Sequence, residues 1–362
     1  MSSSSRLTAS NLSDQRYCVK PGPFNLITDV DGLLVGNADD DTLKSGVTAL
    51  VCPKPATAAV QVLGGAPGTR ETDLLEPHNA VEQIDAIAIS GGSAFGLDAA
   101  SGVQAALREQ GVGFQTGDFR IPIVPSAIIF DLTNGGDKDW GRYSPYRELG
   151  YAAVQNAAKT FDLGTAGAGH GALTAIVKGG LGSASCRVGD EITLGAIVAA
   201  NPMGSVLVGE GPHFWASPFE IDDEFGGLGL PNEFGADATD LRIKFRNLQR
   251  GRTPQPGTNT TIGVIATDAV LTKAEAKRLA ISAHDGFARA IWPTHTAHDG
   301  DLVFAIATGA SGQRPDSDQM LEMCAAAGAV MARAIARGVY EAVPAPGDVM
   351  PAWRTLFGDS QD

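Results

Sequence analysis

Five short runs of almost unbroken apolar character limit what this chain can fold into. They are residues 85–90 (DAIAIS), 127–132 (AIIFDL), 195–200 (GAIVAA), 261–267 (TIGVIAT) and 302–308 (LVFAIAT). A strand with water on one face alternates apolar and polar residues, whereas a strand covered on both faces does not. Helical patterns lie between these runs. Thr272 and Glu275 have capping-box spacing ahead of a helix that carries Leu279, Ala283, Phe287 and Ile291 at four-residue steps. A second helix is predicted from about Asp318 to Arg337, rich in alanine, and a third from about Ala94 to Glu109. Their small residues permit close packing on a sheet or a neighbouring subunit. Covered strands with covering helices make a layered α/β protein.

Glycine is the compositional outlier, with 45 of 362 residues, well above the usual share of about 7%. The glycines cluster at 91–96 (GGSAFG), 164–171 (GTAGAGHG) and 178–185 (KGGLGSAS) without a fixed period, so tight turns and close backbone approach are expected rather than a repeat array. A net charge of −14 argues against nucleic acid or an anionic membrane as partner, since both reward a basic face. No apolar run approaches the eighteen or so residues of a spanning helix, and the start, MSSSSRLTASNLSDQRY, has no apolar signal core. A cytoplasmic protein is expected. Cys18, Cys52, Cys186 and Cys324 are scattered, which suits neither a disulfide framework nor a zinc site.

One stretch breaks the layered pattern. Residues 210–259 are rich in Gly, Pro and charge and read as a loose loop or linker. Asn259-Thr260-Thr261 follows, opening a core strand. A cut before Thr260 would leave a hydroxyl and a free α-amine on one residue. The amine, with a reference pKa of about 7.7–8.0, can take the hydroxyl proton near neutrality. Asn-Thr is also common in turns.

Further on, 295–301 (HTAHDGD) stands at the entrance of another core strand, where Asp299 and Asp301 can share a proton or steer a cation. His295, His298 and both aspartates are metal-ligand types. Nothing else in the sequence completes a metal site, so no metal or other cofactor is expected. Asn201, at the end of the run 195–200, can present an amide N–H to a developing oxyanion or begin a turn before Pro202. Lys178 can hold charge near a reaction centre or be a solvated loop lysine. There is no phosphate-binding GxxxxGK[ST], no HExxH, and Ser93 lacks the second glycine of a nucleophile elbow.

Six segments in this order resemble the L-aminopeptidase/D-amidase-esterase (DmpA-like) family, which includes β-peptidyl aminopeptidases and nylon-oligomer hydrolases. They are 25–38 (NLITDVDGLLVGNA), 91–103 (GGSAFGLDAASGV), 167–185 (GAGHGALTAIVKGGLGSAS), 199–204 (AANPMG), 257–269 (GTNTTIGVIATDA) and 295–305 (HTAHDGDLVFA). The resemblance implies a four-layer αββα sandwich of the N-terminal-nucleophile type, shared with ornithine acetyltransferase, and usually a homo-oligomer such as a tetramer. It implies a polar arm over 1–24, a larger fragment 25–259 and a smaller fragment 260–362 that completes one domain. It also implies self-cleavage between Asn259 and Thr260, with Thr260 as nucleophile, Asn201 on the oxyanion side and Asp299 and Asp301 as the acidic pair.

The nylon-oligomer hydrolases carry a catalytic lysine where this chain has Ile176. Lys178, two residues on and on the same face of an alternating strand, is the nearest replacement. Those enzymes also have a tyrosine where this chain has Phe130. The function implied is a self-processing peptide or amide hydrolase acting on a small substrate. The readings kept beside it are ω-amino-oligoamide hydrolysis, acyl transfer of the ornithine acetyltransferase kind, a metallohydrolase built on 295–301, and a scaffold without chemistry.

Overall fold

The computed structural model describes residues 20–245 and 259–358. Residues 1–19 of the expected arm, Cys18 among them, and 246–258 of the expected linker lie outside the described residues. In chain order the strands are β1 (Leu34–Asp40), β2 (Ser45–Val62), β3 (Thr69–Arg70), β4 (Gln83–Ser90), β5 (Phe114–Thr116), β6 (Phe119–Ile121), β7 (Ser126–Ile128), β8 (Gly180–Val188), β9 (Ile192–Asn201), β10 (Thr260–Thr267) and β11 (Leu302–Ala307). The helices are α1 (Ala99–Glu109), α2 (Tyr146–Gln155), α3 (Lys273–Ala290), α4 (Ser317–Tyr340) and α5 (Trp353–Phe357).

The strands join in the order β3-β7-β4-β2-β11-β10-β9-β8, with β1 also on β2, while β5 and β6 form a separate hairpin. The long strand β2 serves two wings. Its first half pairs with β1 and β4, its register shifts between Val51 and Ala56 around Pro53 and Pro55, and its second half pairs with β11. Side-chain alternation then builds three separate cores. Val47, Ala49, Ala86 and Ala88 face α1 and α2. Leu50, Ile87 and Ile89 meet Ile262, Val264, Phe304 and Ile306 of the other wing. Val303, Ala305, Val198 and Ile265 face α3 and α4. Three apolar interfaces stacked in sequence define four layers, helix, sheet, sheet and helix, as the resemblance implies. Non-alternating apolar strands are what such an arrangement demands.

Local chemistry explains the element ends. Thr272 and Glu275 close a reciprocal capping box on α3, and Asp316 and Gln319 close another on α4; such caps contribute about 1 kcal/mol each. Two expectations need correction. The cluster 178–185 is largely strand rather than turn, because Gly182 lies so close to α4 that a Cβ would meet the Ala334 carbonyl oxygen at 1.8 Å. The run 127–132 gives only the short strand Ser126–Ile128, after which Asp131 turns inward to accept hydrogen bonds from Ser45 Oγ and Gly92 N.

Residues 210–245 contain one 3-10 turn, Ser217–Phe219, yet insert Phe214 and Phe225 into the α3/α4 core. Glu224 from this segment pairs with the buried Arg333 of α4. No helix among the described residues is long and apolar enough to cross a membrane.

Candidate active site

Three adjacent strands bring the expected residues together at one sheet end. Thr260, the first residue of β10, lies opposite Asn201, the last of β9, in antiparallel register. On its other side β10 runs parallel to β11, and an isolated bridge carries that pairing one step outward to join Asn259 with Asp299. Asn259-Thr260-Thr261 therefore lies alongside Asp299-Gly300-Asp301. All of these residues except Gly300 are polar and almost fully buried.

The Thr260 hydroxyl sits against the peptide carbonyl that precedes it, with Oγ1 donating to Asn259 O at 2.5 Å. The same oxygen accepts the backbone N–H of Gly300 at 2.9 Å. Glycine is required at position 300, since a Cβ would fall 2.5 Å from Thr260 Oγ1 and 2.8 Å from Ala66 O. The Asn259 carbonyl oxygen thus carries two hydrogen-bond donors, a side-chain hydroxyl and a backbone amide.

The two carboxylates hold the loop and the strand in place. Asp301 Oδ1 accepts Thr261 N at 2.8 Å, and its Oδ2 accepts Thr294 Oγ1, His295 N and His295 Nδ1 at 2.9–3.2 Å. That double grip retains His295 in the left-handed region, at φ +53°. Asp299 Oδ2 accepts Thr296 N and Oγ1, and its Oδ1 accepts Met203 N. Burial, with the neighbouring Asp301 carboxylate adding to it, pushes the Asp299 carboxyl above the usual range. His295 Nε2 meets His284 Nδ1 at 3.2 Å, and burial lowers His284 to about 4. Among the described residues no group of three or more His, Cys, Asp or Glu side chains has the geometry to hold a metal ion.

Asn201 is heavily engaged. Its Oδ1 accepts Leu173 N at 3.0 Å and Lys244 Nζ at 2.8 Å, and its Nδ2 donates to Phe130 O at 3.0 Å. Position 130 thus serves the site through its main chain. The Asn259 carbonyl receives Thr260 Oγ1–H and Gly300 N–H.

Lys178 is bound to a carboxylate. Its Nζ pairs with Asp348 Oδ2 at 2.8 Å, Lys44 takes the other oxygen at 2.6 Å, and both line a cavity of about 390 Å³ with Asp41, Asn134 and His170. Burial favours the neutral Asp348 acid, but hydrogen bonds from Lys178 and Lys44 outweigh it and hold the carboxyl below its ordinary range. Ile176 packs on the α3/α4 core.

The lysine that reaches Asn201 is Lys244, which the sequence reading passed over. Its ammonium is buried and donates to Asn201 O at 3.1 Å as well as to Oδ1, and its N–H binds Met203 O. Burial lowers its pKa to about 7, against the pull of Asp299, Asp131 and Asp301. The available signal was its place between Ile243 and Phe245 in an otherwise charged stretch.

Comparison with known proteins agrees with this fold. A β-aminopeptidase of Burkholderia sp. superposes with a TM-score of 0.66 at 20% identity, covering 98% of this chain and 99% of that one. An L-aminopeptidase D-Ala-esterase/amidase of Ochrobactrum anthropi, described as a new variant among the Ntn hydrolase fold, superposes with a TM-score of 0.65 at 22% identity, covering 95% and 96%. In sequence, an uncharacterized aminopeptidase of Mycobacterium bovis is 40% identical over 352 residues, covering 92% of this chain and 98% of the relative. A 6-aminohexanoate-oligomer endohydrolase of Kocuria sp. is 30% identical over 299 residues, covering 79% and 76%. The model of peptidase family S58 matches residues 25–350. With that match over most of its length, the chain belongs to peptidase family S58 and is a hydrolase of peptide or amide bonds.

Proposed function

We propose that this hydrolase matures by cutting itself between Asn259 and Thr260 and then uses Thr260 as an N-terminal nucleophile on small amine-bearing peptides or amides. The observation that carries this reading is the contact of Thr260 Oγ1 with Asn259 O, at 2.5 Å, on a carbonyl already bound by Gly300 N–H. Oγ1 bonds to the Asn259 carbonyl carbon and gives up its proton. The C–N bond then breaks, with the nitrogen taking a proton to become the Thr260 α-amine. Water opens the resulting ester and leaves Asn259 as a carboxylate.

In the mature enzyme the α-amine takes the hydroxyl proton as Oγ1 attacks a substrate carbonyl. General-base help of this kind contributes about 10²–10⁴ in rate. Gly300 N–H is placed to bind the new oxyanion, and the spare hydrogen of the Asn201 amide adds a second donor once the Asn259 carbonyl has left. Asp299 and Asp301 orient the new α-amine and attract a substrate's own amino group. The names of the relatives, aminopeptidases and a 6-aminohexanoate-oligomer endohydrolase, support such substrates. The assembly in this reading is a homo-oligomer without a cofactor.

Thr260→Ala should yield one uncut chain without amidase activity, while Thr260→Ser should still cut and turn over an aminoacyl-nitroanilide. An active Thr260→Ala protein would overturn the reading.

A further inference from the structure

We propose that Lys244, carried on the segment that leads to the cut, is the positioning residue that holds Asn201 and supplies positive charge to the Thr260–Asn259 centre during self-cleavage. This rests on the reading of Thr260 as nucleophile.

Three observations place Lys244 in that role. First, its ammonium grips Asn201 at two atoms, the main-chain oxygen and Oδ1, and Asn201 is the ladder partner of Thr260. Side chains of directly paired residues in an antiparallel ladder stand about 4.5–5.5 Å apart at Cβ, so this cation is anchored one side chain away from the nucleophile. Second, the surroundings are rich in carboxylates. The groups facing the ammonium are Asp299 and Asp301 from the loop before β11 and Asp131 from the segment after β7. His295 stands behind on Asp301, and Asp131 is bound by Ser45 and, through it, Tyr146.

Attack by the Thr260 hydroxyl adds negative charge to Asn259 O in this already acidic, water-poor place, and a nearby fixed cation lowers the cost of that charge. Third, no other cation among the described residues is seen to bind this group. Lys178 pairs with Asp348. Among the described residues no other lysine or arginine is hydrogen-bonded to Asn201, Asp299 or Asp301.

The cation is present below its folded pKa of about 7 and is lost as pH rises through that value. Self-cleavage should therefore slow on the alkaline side. This is opposite to mature turnover, which gains as the α-amine of Thr260 loses its proton.

The test uses freshly translated full-length chain, with the appearance of fragments followed by mass spectrometry from pH 6 to pH 9. Wild type should cut with a rate that declines above about pH 7. Lys244→Met should cut about 10²-fold more slowly below pH 7, the loss typical of removing one fixed electrostatic stabiliser, with the gap from wild type closing toward pH 9. Lys244→Arg keeps a charge that does not titrate in this range, so it should cut without the alkaline decline. That rescue separates a positioning charge from mere packing.

Wild-type rate in Lys244→Met below pH 7, or an unchanged alkaline decline in Lys244→Arg, would overturn the role of Lys244 and leave the Thr260 reading intact. A wild-type chain that never cuts yet hydrolyses amides would overturn the Thr260 reading and this proposal with it.

Discussion

Lys178 and Lys244 are buried to the same extent, each 4% exposed, and differ in what they were given as partners. Lys178 meets a carboxylate, Asp348, which it shares with Lys44. Lys244 meets two oxygens of a neutral asparagine, with its acidic neighbours beyond hydrogen-bonding reach. A buried charge with a carboxylate on it is a structural tie. One held on neutral oxygens keeps an unspent field that acts on whatever reacts nearby. The difference teaches that a lysine's place in a sequence motif says less about its use than the partner that waits for it.

Gly300→Ala should strike hardest, because the new methyl lands on Thr260 Oγ1. Cutting should fall about 10²–10³-fold, equivalent to about 3–4 kcal/mol of barrier, as read from fragment yield. A chain that still cuts normally would remove Gly300 from the centre.

Next comes Asp348→Ala, which strands Lys178 in a buried place with its carboxylate gone. Unfolding in denaturant should show a loss of about 3 kcal/mol with self-cleavage unchanged within about twofold. A cleavage defect as large as that of Lys244→Met would put both lysines in the same machinery and erase the distinction.

Stability against pH gives a smaller effect, rising with pH at both sites but in separate ranges, because the fold favours the charged form of Asp348 and disfavours that of Lys244. Asp348 is depressed in the fold, so its contribution is present above the unfolded carboxyl pKa and lost as pH falls through the folded one. Lys244 is depressed too, but as a base, so the unfolded chain holds its proton more tightly. Stability should therefore rise between about pH 7 and the unfolded lysine pKa of about 10.4. Lys244→Met should abolish the alkaline rise and Asp348→Asn should soften the acid loss, both seen in melting temperature across a pH series. Smallest is Thr272→Ala, which removes the α3 cap for about 1 kcal/mol and should leave cutting untouched.

Much of the layering was readable from residue order because buried strands and capped helices leave local marks. The runs in β4, β9, β10 and β11 are apolar on both faces, and Thr272 with Glu275 announces α3. Strand β8 was hidden because its glycines are dictated by the backbone of α4, a partner about 150 residues away that no local window contains. Strand β2 was hidden by Pro53 and Pro55, which mark the change of wing rather than a strand end.

At the site, Thr260, Asn201, Asp299 and Asp301 do converge, since each stands at the end of a strand whose neighbours follow from the sheet order. Lys244 did not emerge because irregular segments carry no periodicity to say which way a side chain points. Its burial depends on where 210–245 folds back against Met203 and Asn201. Strand alternation alone does not tell what Lys178 binds, because the turn at Thr174–Val177 precedes it and its partner, Asp348, comes from 170 residues further along the chain.

The most direct measurement is the intact mass of freshly purified, active protein under denaturing conditions. The expected spectrum contains two polypeptides that end at Asn259 and begin at Thr260. A single species of all 362 residues that hydrolyses an amide at full rate would contradict the account, because its threonine would still be locked in a peptide bond.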